Sequence, residues 1–311
     1  ILEGPVTWTV GTNISVNRNK VLYLSDGVDE IYNTTMRSAQ THVTKVGHPI
    51  GSFLAYRTDG IMSEADYQNV LKDREVFEAN GKSFPEGYVL KGPAVPDYAL
   101  EYLSPGNVIY HNTNGDYKIT EADREIIGSP YPDFTGGFNT AISFKNFDIA
   151  LGFTYSVGAQ VINFNDYYCY NMEGSGNQYG VVRNRWKSDK EPGDGYVPRA
   201  FRHGNKNTCM KISDRYIDDA DYLRLSTASI GYTFPRKVCE KLHIQGLRIY
   251  VNGDNLFTLT NYRGFNPEVD QYSTGGKTVA ENKSNANMMP GFDWGSYPVA
   301  RVITAGFKLT F

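Results

Sequence analysis

Pro298-Val299-Ala300-Arg301-Val302-Ile303-Thr304-Ala305-Gly306-Phe307-Lys308-Leu309-Thr310-Phe311 is the stretch whose reading decides the fold. Counted back from Phe311, the residues Leu309, Phe307, Ala305 and Ile303 share one face. Thr310, Lys308, Gly306, Thr304 and Val302 share the other, because successive side chains of a strand point to opposite sides. One face is apolar throughout and the other is small or polar. A strand of a soluble sandwich would bury such a face against a second sheet. A strand of a membrane barrel would turn it to lipid and keep the small, polar face for the lumen. This stretch alone leaves both readings open, and the barrel fits its period better.

Working outward, the same alternation returns in four other places. Val6, Trp8, Val10, Thr12, Ile14 and Val16 alternate with small polar residues over about eleven positions, the length a tilted membrane strand requires. Phe138 to Phe144 and Phe147 to Val157 form the clearest hairpin, joined at Lys145-Asn146. Tyr222 to Phe234 changes phase between Leu225 and Ala228, which predicts a bulge near Ser226. Leu247 to Leu259 completes the set. A further strand is expected between Lys20 and Thr58, from Val21-Leu24 or Phe53-Thr58, which gives about seven strands.

The connections between these strands alternate in length. They run long before Phe134, short at 145–146, long at 158–221, short at 235–246 and long at 260–297. A compact soluble domain seldom carries 60 residues without regular structure, whereas membrane barrels pair short turns on one rim with long loops on the other. About seven strands leave two free edges, which lipid does not tolerate. The chain is therefore expected to be part of something larger, and its start at Ile1 reads as a processed or truncated end. Within the first long connection, Ser63 with Asp66 three residues on predicts a capped surface helix ending near Asn80-Gly81.

Composition narrows the function. The chain has 311 residues, 31 basic against 34 acidic and a net charge of −3, which leaves no electrostatic footprint for nucleic acid. Mean hydropathy is negative and no run approaches the roughly 20 apolar residues of a spanning helix. That says nothing against strands. Aromatic residues make up 14%, with 23 Tyr and 16 Phe, which suits interfacial girdles and also sugar-binding surfaces. Cys169, Cys209 and Cys239 form no metal cluster, and a Cys169–Cys209 pair stays open beside three unpaired thiols. The five histidines show no HExxH spacing, no Gly-x-Ser-x-Gly elbow occurs, and no acid–base or nucleophile–base set can be assembled, so catalysis is not expected.

Two sets of residues are candidates for a site. Asn112, Asn114, Asp116, Lys118 (through its carbonyl), Thr120 and Asp123 have the spacing of a calcium loop. The pattern is degenerate. Asn112 replaces an acid, Tyr117 replaces the turn glycine, and Asp123 is shorter than the usual bidentate Glu. A metal-free turn of the same shape is the competing reading. The long connections also carry aromatic rings, among them Trp186, Tyr196, Tyr272 and Trp294, placed to stack on a substrate or to pack against a lid. Packing within the loops themselves is the alternative.

Several stretches in order resemble the SusC/RagA family of TonB-dependent outer-membrane transporters of Bacteroidetes. They are Thr7-Trp8-Thr9 through Asn17-Arg18-Asn19-Lys20-Val21, Gly47-His48-Pro49-Ile50-Gly51-Ser52-Phe53, Asp59-Gly60-Ile61, Pro105-Gly106-Asn107-Val108, and Asn114-Gly115-Asp116. Gly128-Ser129-Pro130-Tyr131-Pro132-Asp133-Phe134 follows, then Ser213-Asp214-Arg215-Tyr216-Ile217, Tyr222-Leu223-Arg224-Leu225 and Gly231-Tyr232-Thr233-Phe234-Pro235. Asn255-Leu256-Phe257-Thr258, Asn266-Pro267-Glu268 and Gly295-Ser296-Tyr297-Pro298 complete the series. The resemblance implies an all-β fold, in which residues 1–311 form the C-terminal part of a 22-strand antiparallel transmembrane barrel whose plug and earlier strands lie outside this chain. It also implies a Gram-negative outer membrane with its lipopolysaccharide, a SusD-like surface lipoprotein, a TonB energising complex, and an oligosaccharide or peptide as cargo. A soluble, secreted β-sandwich that binds carbohydrate through aromatic loops is the rival reading.

Overall fold

The computed structural model describes residues 6–34, 40–98, 103–174, 176–202, 211–269 and 288–311. In chain order the first strand is β1 (Val6–Ser15). The first long connection carries β2 (Glu30–Thr34), β3 (Gln40–Lys45), β4 (Ser52–Ala55), β5 (Thr58–Ile61), helix α1 (Glu64–Ala79), β6 (Val108–Tyr110) and β7 (Glu125–Gly128). The hairpin β8 (Phe134–Phe144) and β9 (Phe147–Val157) follows. The second long connection contains β10 (Gln160–Asn163), α2 (Phe164–Cys169) and β11 (Ile217–Asp219). Then come β12 (Tyr222–Thr233), the short α3 (Arg236–Lys241), β13 (Gly246–Thr260), β14 (Phe292–Asp293) and β15 (Val302–Thr310).

Six of these strands form one antiparallel wall in the order β1-β8-β9-β12-β13-β15. Register keeps the alternation coherent across all of them. Trp8, Ile142, Ile149, Ile230, Val251 and Ala305 stand opposite one another on one face. Thr9, Ala141, Ala150, Ser229, Asn252 and Thr304 form the matching row on the other. A one-residue slip in any strand would break both rows. No second sheet covers the apolar face among the described residues: Ile303 is 71% exposed and Phe307 69%. A sandwich would have buried these side chains, and a water-soluble monomer rarely leaves so large an apolar patch open. The wall is a segment of membrane barrel, and its apolar face is the lipid face. On that face the indole Nε1 of Trp8 donates to Thr140 Oγ1 at 2.8 Å, so its one polar atom is satisfied without water.

The phase change in β12 is a bulge. Pairing shifts between Leu225 and Thr227 against both β9 and β13. Opposite it, Asn255 takes a φ of 52°, a left-handed conformation that Asn adopts more readily than most residues. The shift returns Leu223 and Leu225 to the lipid face beside Phe257 and Leu259. The same kink lays the Leu256 side chain over Gly253, where a Cβ would meet it at 2.7 Å.

Three expectations are corrected. Among the described residues the wall has six strands. The residues expected to add a seventh, Val21-Leu24, lie outside any strand, and Phe53 belongs to a separate sheet of order β2-β3-β4-β7. The stretch 25–132, where a candidate strand at Phe53-Thr58 and one surface helix were expected, carries that whole sheet, the β5–β6 pair and α1. Its strands are only three to six residues long, and β4 is buried throughout, so they show little alternation to read. The last strand begins at Val302, and Pro298–Arg301 lead into it without pairing.

Helix α1 starts as predicted. Ser63 and Asp66 form a reciprocal capping box, and Asn80 ends the helix. It is more than a surface helix, because Val70 is fully buried in a cluster with Met62, Val95, Tyr98 and Leu103.

Candidate functional site

The three long connections, 16–133, 158–221 and 261–301, all leave the wall at one rim, and both short ones lie at the other. Above the long rim the connections pack into a single loop layer. Its central core takes Phe53 and Ala55 from the first connection, Ile162, Phe164 and Ile212 from the second, and Phe292 from the third. Burying a Phe of this kind contributes about 1.5–3 kcal/mol. Backbone pairing reinforces the core. β10 pairs with β11 on one side and runs parallel to β14 on the other. Tyr56 N donates to Ile212 O at 3.0 Å, and Asp214 N donates back to Tyr56 O at 3.0 Å.

A charged knot lies beside this core. Arg263 donates through Nε to Asp218 at 2.8 Å and reaches Asp166 at 3.1 Å through Nη2. Asp293 accepts from the Tyr262 hydroxyl and from the backbone N–H of Gly295 at 2.8 Å and Ser296 at 2.7 Å. Asp166, Asp218 and Asp293 are all buried. Burial pushes the Asp166 carboxyl up to about 6; Arg263 opposes that shift, and Asp218 and Asp293 add to it. Burial also raises the Tyr262 hydroxyl, and its hydrogen bond to Asp293 raises it further, so Tyr262 acts only as a donor. Arg215 lies over the rings of Tyr196 at 5.2 Å, Tyr216 at 5.6 Å and Tyr170 at 5.8 Å. This arrangement holds charge in place without a nucleophile and base in reach of one another. It can fix loops and present surface.

The wall is tied to the same layer on its lumen face. Arg224 of β12 donates to Thr258 Oγ1 at 3.0 Å and to Asn266 Oδ1 at 2.9 Å, and pairs with Glu268. Tyr222 donates to the other Glu268 oxygen at 2.5 Å. Nearer the short rim, Arg248 crosses Gly231 to reach Asp148 at 2.5 Å. A Cβ on Gly231 would lie 2.4 Å from Arg248 Nη2 and 2.8 Å from Asp148 Oδ1, so the pair needs glycine beneath it.

The predicted aromatic residues divide. Trp186 lies against Gly106, 2.3 Å from where a Cβ would stand, and Gly106 itself has a φ of 87°. Tyr196 donates its hydroxyl to Arg215 O at 2.7 Å and packs on Tyr170. Trp294 stacks on Phe164 with ring centroids 4.7 Å apart. All three are thus joined to the packing of the loop layer, each with part of its ring exposed. Tyr272 lies outside the described residues, as does Cys209, so the structure describes Cys169 without that partner.

The calcium-like loop is closed by its own hydrogen bonds. Gly115 N donates to Asn112 Oδ1 at 3.0 Å, Asp116 N to Asn114 Oδ1 at 2.8 Å, and Lys118 N to Asp116 Oδ1 at 2.7 Å. Asp123 is fully buried, with Thr113 N on one oxygen at 3.0 Å and Thr120 N on the other at 2.7 Å. The Thr120 hydroxyl accepts from Ala122 N and caps the short turn Glu121–Asp123. The Asn114 amide donates to Asp116 Oδ2 at 2.9 Å, which engages the second oxygen of that carboxylate as well. Among the described residues no group of three or more His, Cys, Asp or Glu side chains converges to hold a metal.

Residues whose role was not apparent from sequence are those of the crossings. Arg263 and Asp293 come from the third connection and Asp166 and Asp218 from the second, and no local spacing links them. The one signal available was the set of motif fragments, since Asn266-Pro267-Glu268 meets Tyr222-Leu223-Arg224 in space.

A lipid-facing wall with long loops packed over one rim and short turns at the other defines a segment of a large membrane β-barrel. Over 310 residues the chain is 34% identical to TonB-dependent receptor P3 of Formosa agariphila, covering 98% of this chain and 27% of that protein. It is 23% identical to TonB-dependent receptor SusC of Bacteroides thetaiotaomicron, covering 100% of this chain and 25% of SusC. No family model matches. Among solved structures, the RagAB peptide transporter superposes with a TM-score of 0.68 at 19% identity, covering 100% of this chain and 28% of that one. Over nearly its whole length the chain is homologous to TonB-dependent receptors, SusC among them. It spans about a quarter of the length of the curated relatives it matches.

Proposed function

We propose that the chain forms the C-terminal part of the barrel of an outer-membrane importer, completed by a plug and earlier strands and driven by a TonB energising complex. Its cargo is an oligosaccharide, or a peptide as in the RagAB importer, handed over by a SusD-like surface lipoprotein seated on the loop layer. The outer surface of that layer meets lipopolysaccharide, and the chain's part is transport and not catalysis. The observation that carries this reading is the wall. Among the described residues six strands share one uncovered apolar face, and all three long connections leave it at one rim. The loop layer supports the partner assignment, since a single packed body fixed by buried charge is a stable platform for a lid. Rings such as Trp186, Tyr196 and Trp294 lie in that platform, and Tyr272 falls in the same set of connections. The Asn112–Asp123 loop serves as a self-closed turn in it.

The test is extraction and pull-down. The full transporter carrying a tag in this chain is expected to leave the outer membrane only with detergent, and to bring a lipoprotein with it. Recovery of the tagged protein as a soluble monomer in plain buffer would overturn the proposal.

A further inference from the structure

The connection between β12 and β13 has more apolar surface than a turn in water needs. It runs Phe234-Pro235-Arg236-Lys237-Val238-Cys239-Glu240-Lys241-Leu242-His243-Ile244-Gln245 and contains α3. Only Cys239 of this helix is buried, against Phe234 O. Val238 and Leu242 are four residues apart, so they emerge on one side of the turn. They are 38% and 55% exposed. Three cations, Arg236, Lys237 and Lys241, flank them, and the single acid, Glu240, is paired with Arg236 at 3.0 Å.

The surroundings continue this pattern. The lipid face ends at the short rim in aromatic rings: Phe147 and Tyr232 lie 4.7 Å apart, Phe234 meets Tyr232 edge-on, and Phe144 and Phe307 flank them. Rings at that level mark the depth where acyl chains give way to headgroups. Lys145, in the neighbouring short turn, lies over the Phe144 ring at 5.1 Å. A cluster of cations with protruding aliphatic side chains, directly continuous with a girdle, has the chemistry of an interfacial anchor.

We infer that the β12–β13 turn is a membrane-surface anchor, in which Val238 and Leu242 enter the acyl region of the leaflet at the short rim while Arg236, Lys237 and Lys241, with Lys145 alongside, bind anionic phospholipid headgroups. Basic side chains near such a surface favour anionic lipid, and the apolar pair fixes depth. The anchor would hold the short rim at a set height as the lumen side of the wall bears load.

The experiment uses the full transporter in lipid nanodiscs, its native tryptophans including lipid-facing Trp8 replaced by phenylalanine, with Trp reporters at Leu242→Trp, at Val238→Trp, and at Ile303→Trp on the wall. Nanodiscs are made from phosphatidylcholine alone or mixed with phosphatidylglycerol, with brominated acyl chains as the quencher. The anchor predicts quenching at both turn reporters. It also predicts stronger quenching when the brominated chains are on phosphatidylglycerol than on phosphatidylcholine, and a several-fold loss of that difference in Lys237→Gln/Lys241→Gln. Quenching at Ile303→Trp alone, with the turn reporters open to aqueous iodide, would overturn the anchor and leave the barrel intact. Quenching that ignores headgroup charge would overturn the anionic-lipid assignment. If one turn variant fails to assemble, the other carries the same comparison.

Discussion

Arg224 Nη2 donates to Asn266 Oδ1 at 2.9 Å, and this bond joins the lumen face of a wall strand to a loop 42 residues further along the chain. Arg224 is 6% exposed and also pairs with Glu268. The Glu268 carboxylate is half-exposed, so the cost of losing the guanidinium falls on the hydrogen bonds it donates to Thr258 and Asn266, about 1–3 kcal/mol. Arg224→Ala is therefore expected to free the segment around Asn266-Pro267-Glu268 while the wall stays assembled. Hydrogen exchange of the full transporter should show faster exchange at 261–269 and unchanged protection in β12 and β13. Arg224→Lys should restore little, since an ammonium cannot reproduce the planar fork.

Gly106 is where Trp186 rests. Gly106→Ala is strained by its φ of 87° and places a Cβ 2.3 Å from the indole. The ring must move outward, and Arg199, whose backbone N–H donates to Gly106 O at 2.9 Å, moves with it. The expected loss is about 1–3 kcal/mol of local stability, read as a red shift of Trp186 emission in a variant where the other tryptophans are replaced.

On the lipid face, Leu151 stands between Thr140 and Ala228 near the middle of the apolar band. Leu151→Arg is expected to cost about 2–4 kcal/mol if that level is the bilayer midplane, and to lower the amount of heat-modifiable, assembled barrel. Arginine at Ala150, on the lumen face, should be tolerated better. Equal effects at the two positions would mean the faces are assigned backwards.

His42 gives the loop layer a pH dependence. It is fully buried, edge-on to Phe53, and its Nε2–H donates to Pro290 O at 2.9 Å, so its Nδ1 accepts from the Thr41 hydroxyl. Burial lowers its pKa from 6.5 to about 4, against the opposing effect of the Pro290 hydrogen bond. The folded form thus prefers the neutral ring. Its contribution is complete above pH 6.5 and is lost as pH falls through about 4. The difference corresponds to about 3 kcal/mol. Hydrogen exchange in β3 and β4 should quicken over that window in the native protein and change less in His42→Gln.

The Asn112–Asp123 turn offers a simple measurement. With its oxygens already accepting backbone N–H bonds, millimolar calcium or a chelator should leave exchange protection at 112–123 unchanged. A calcium-dependent gain in protection would assign it as a metal loop.

Much of the wall was legible in the residues. A half-buried or lipid-facing strand writes its period directly into the chain, so β1, β8, β9, β12, β13 and β15 were all recognisable, and so was the bulge at Ser226. Ser63 and Asp66 announced α1, because a capping box is a local event. Phe53 read as a candidate wall strand, and the separate small sheet it belongs to was not legible. Its strands are only a few residues long and β4 is buried throughout, so such a run has no period.

The residues alone fixed the faces of the wall and the length asymmetry of its connections. Each depends on neighbours a few residues apart. Only the tertiary structure decided what the loops do. Arg263 finds Asp166 and Asp218 across segments separated by 97 and 45 residues, Trp186 settles on Gly106, and Trp294 stacks on Phe164. Those meetings are set by packing between distant segments, where shape and desolvation choose the partner, and no spacing along the chain records the choice.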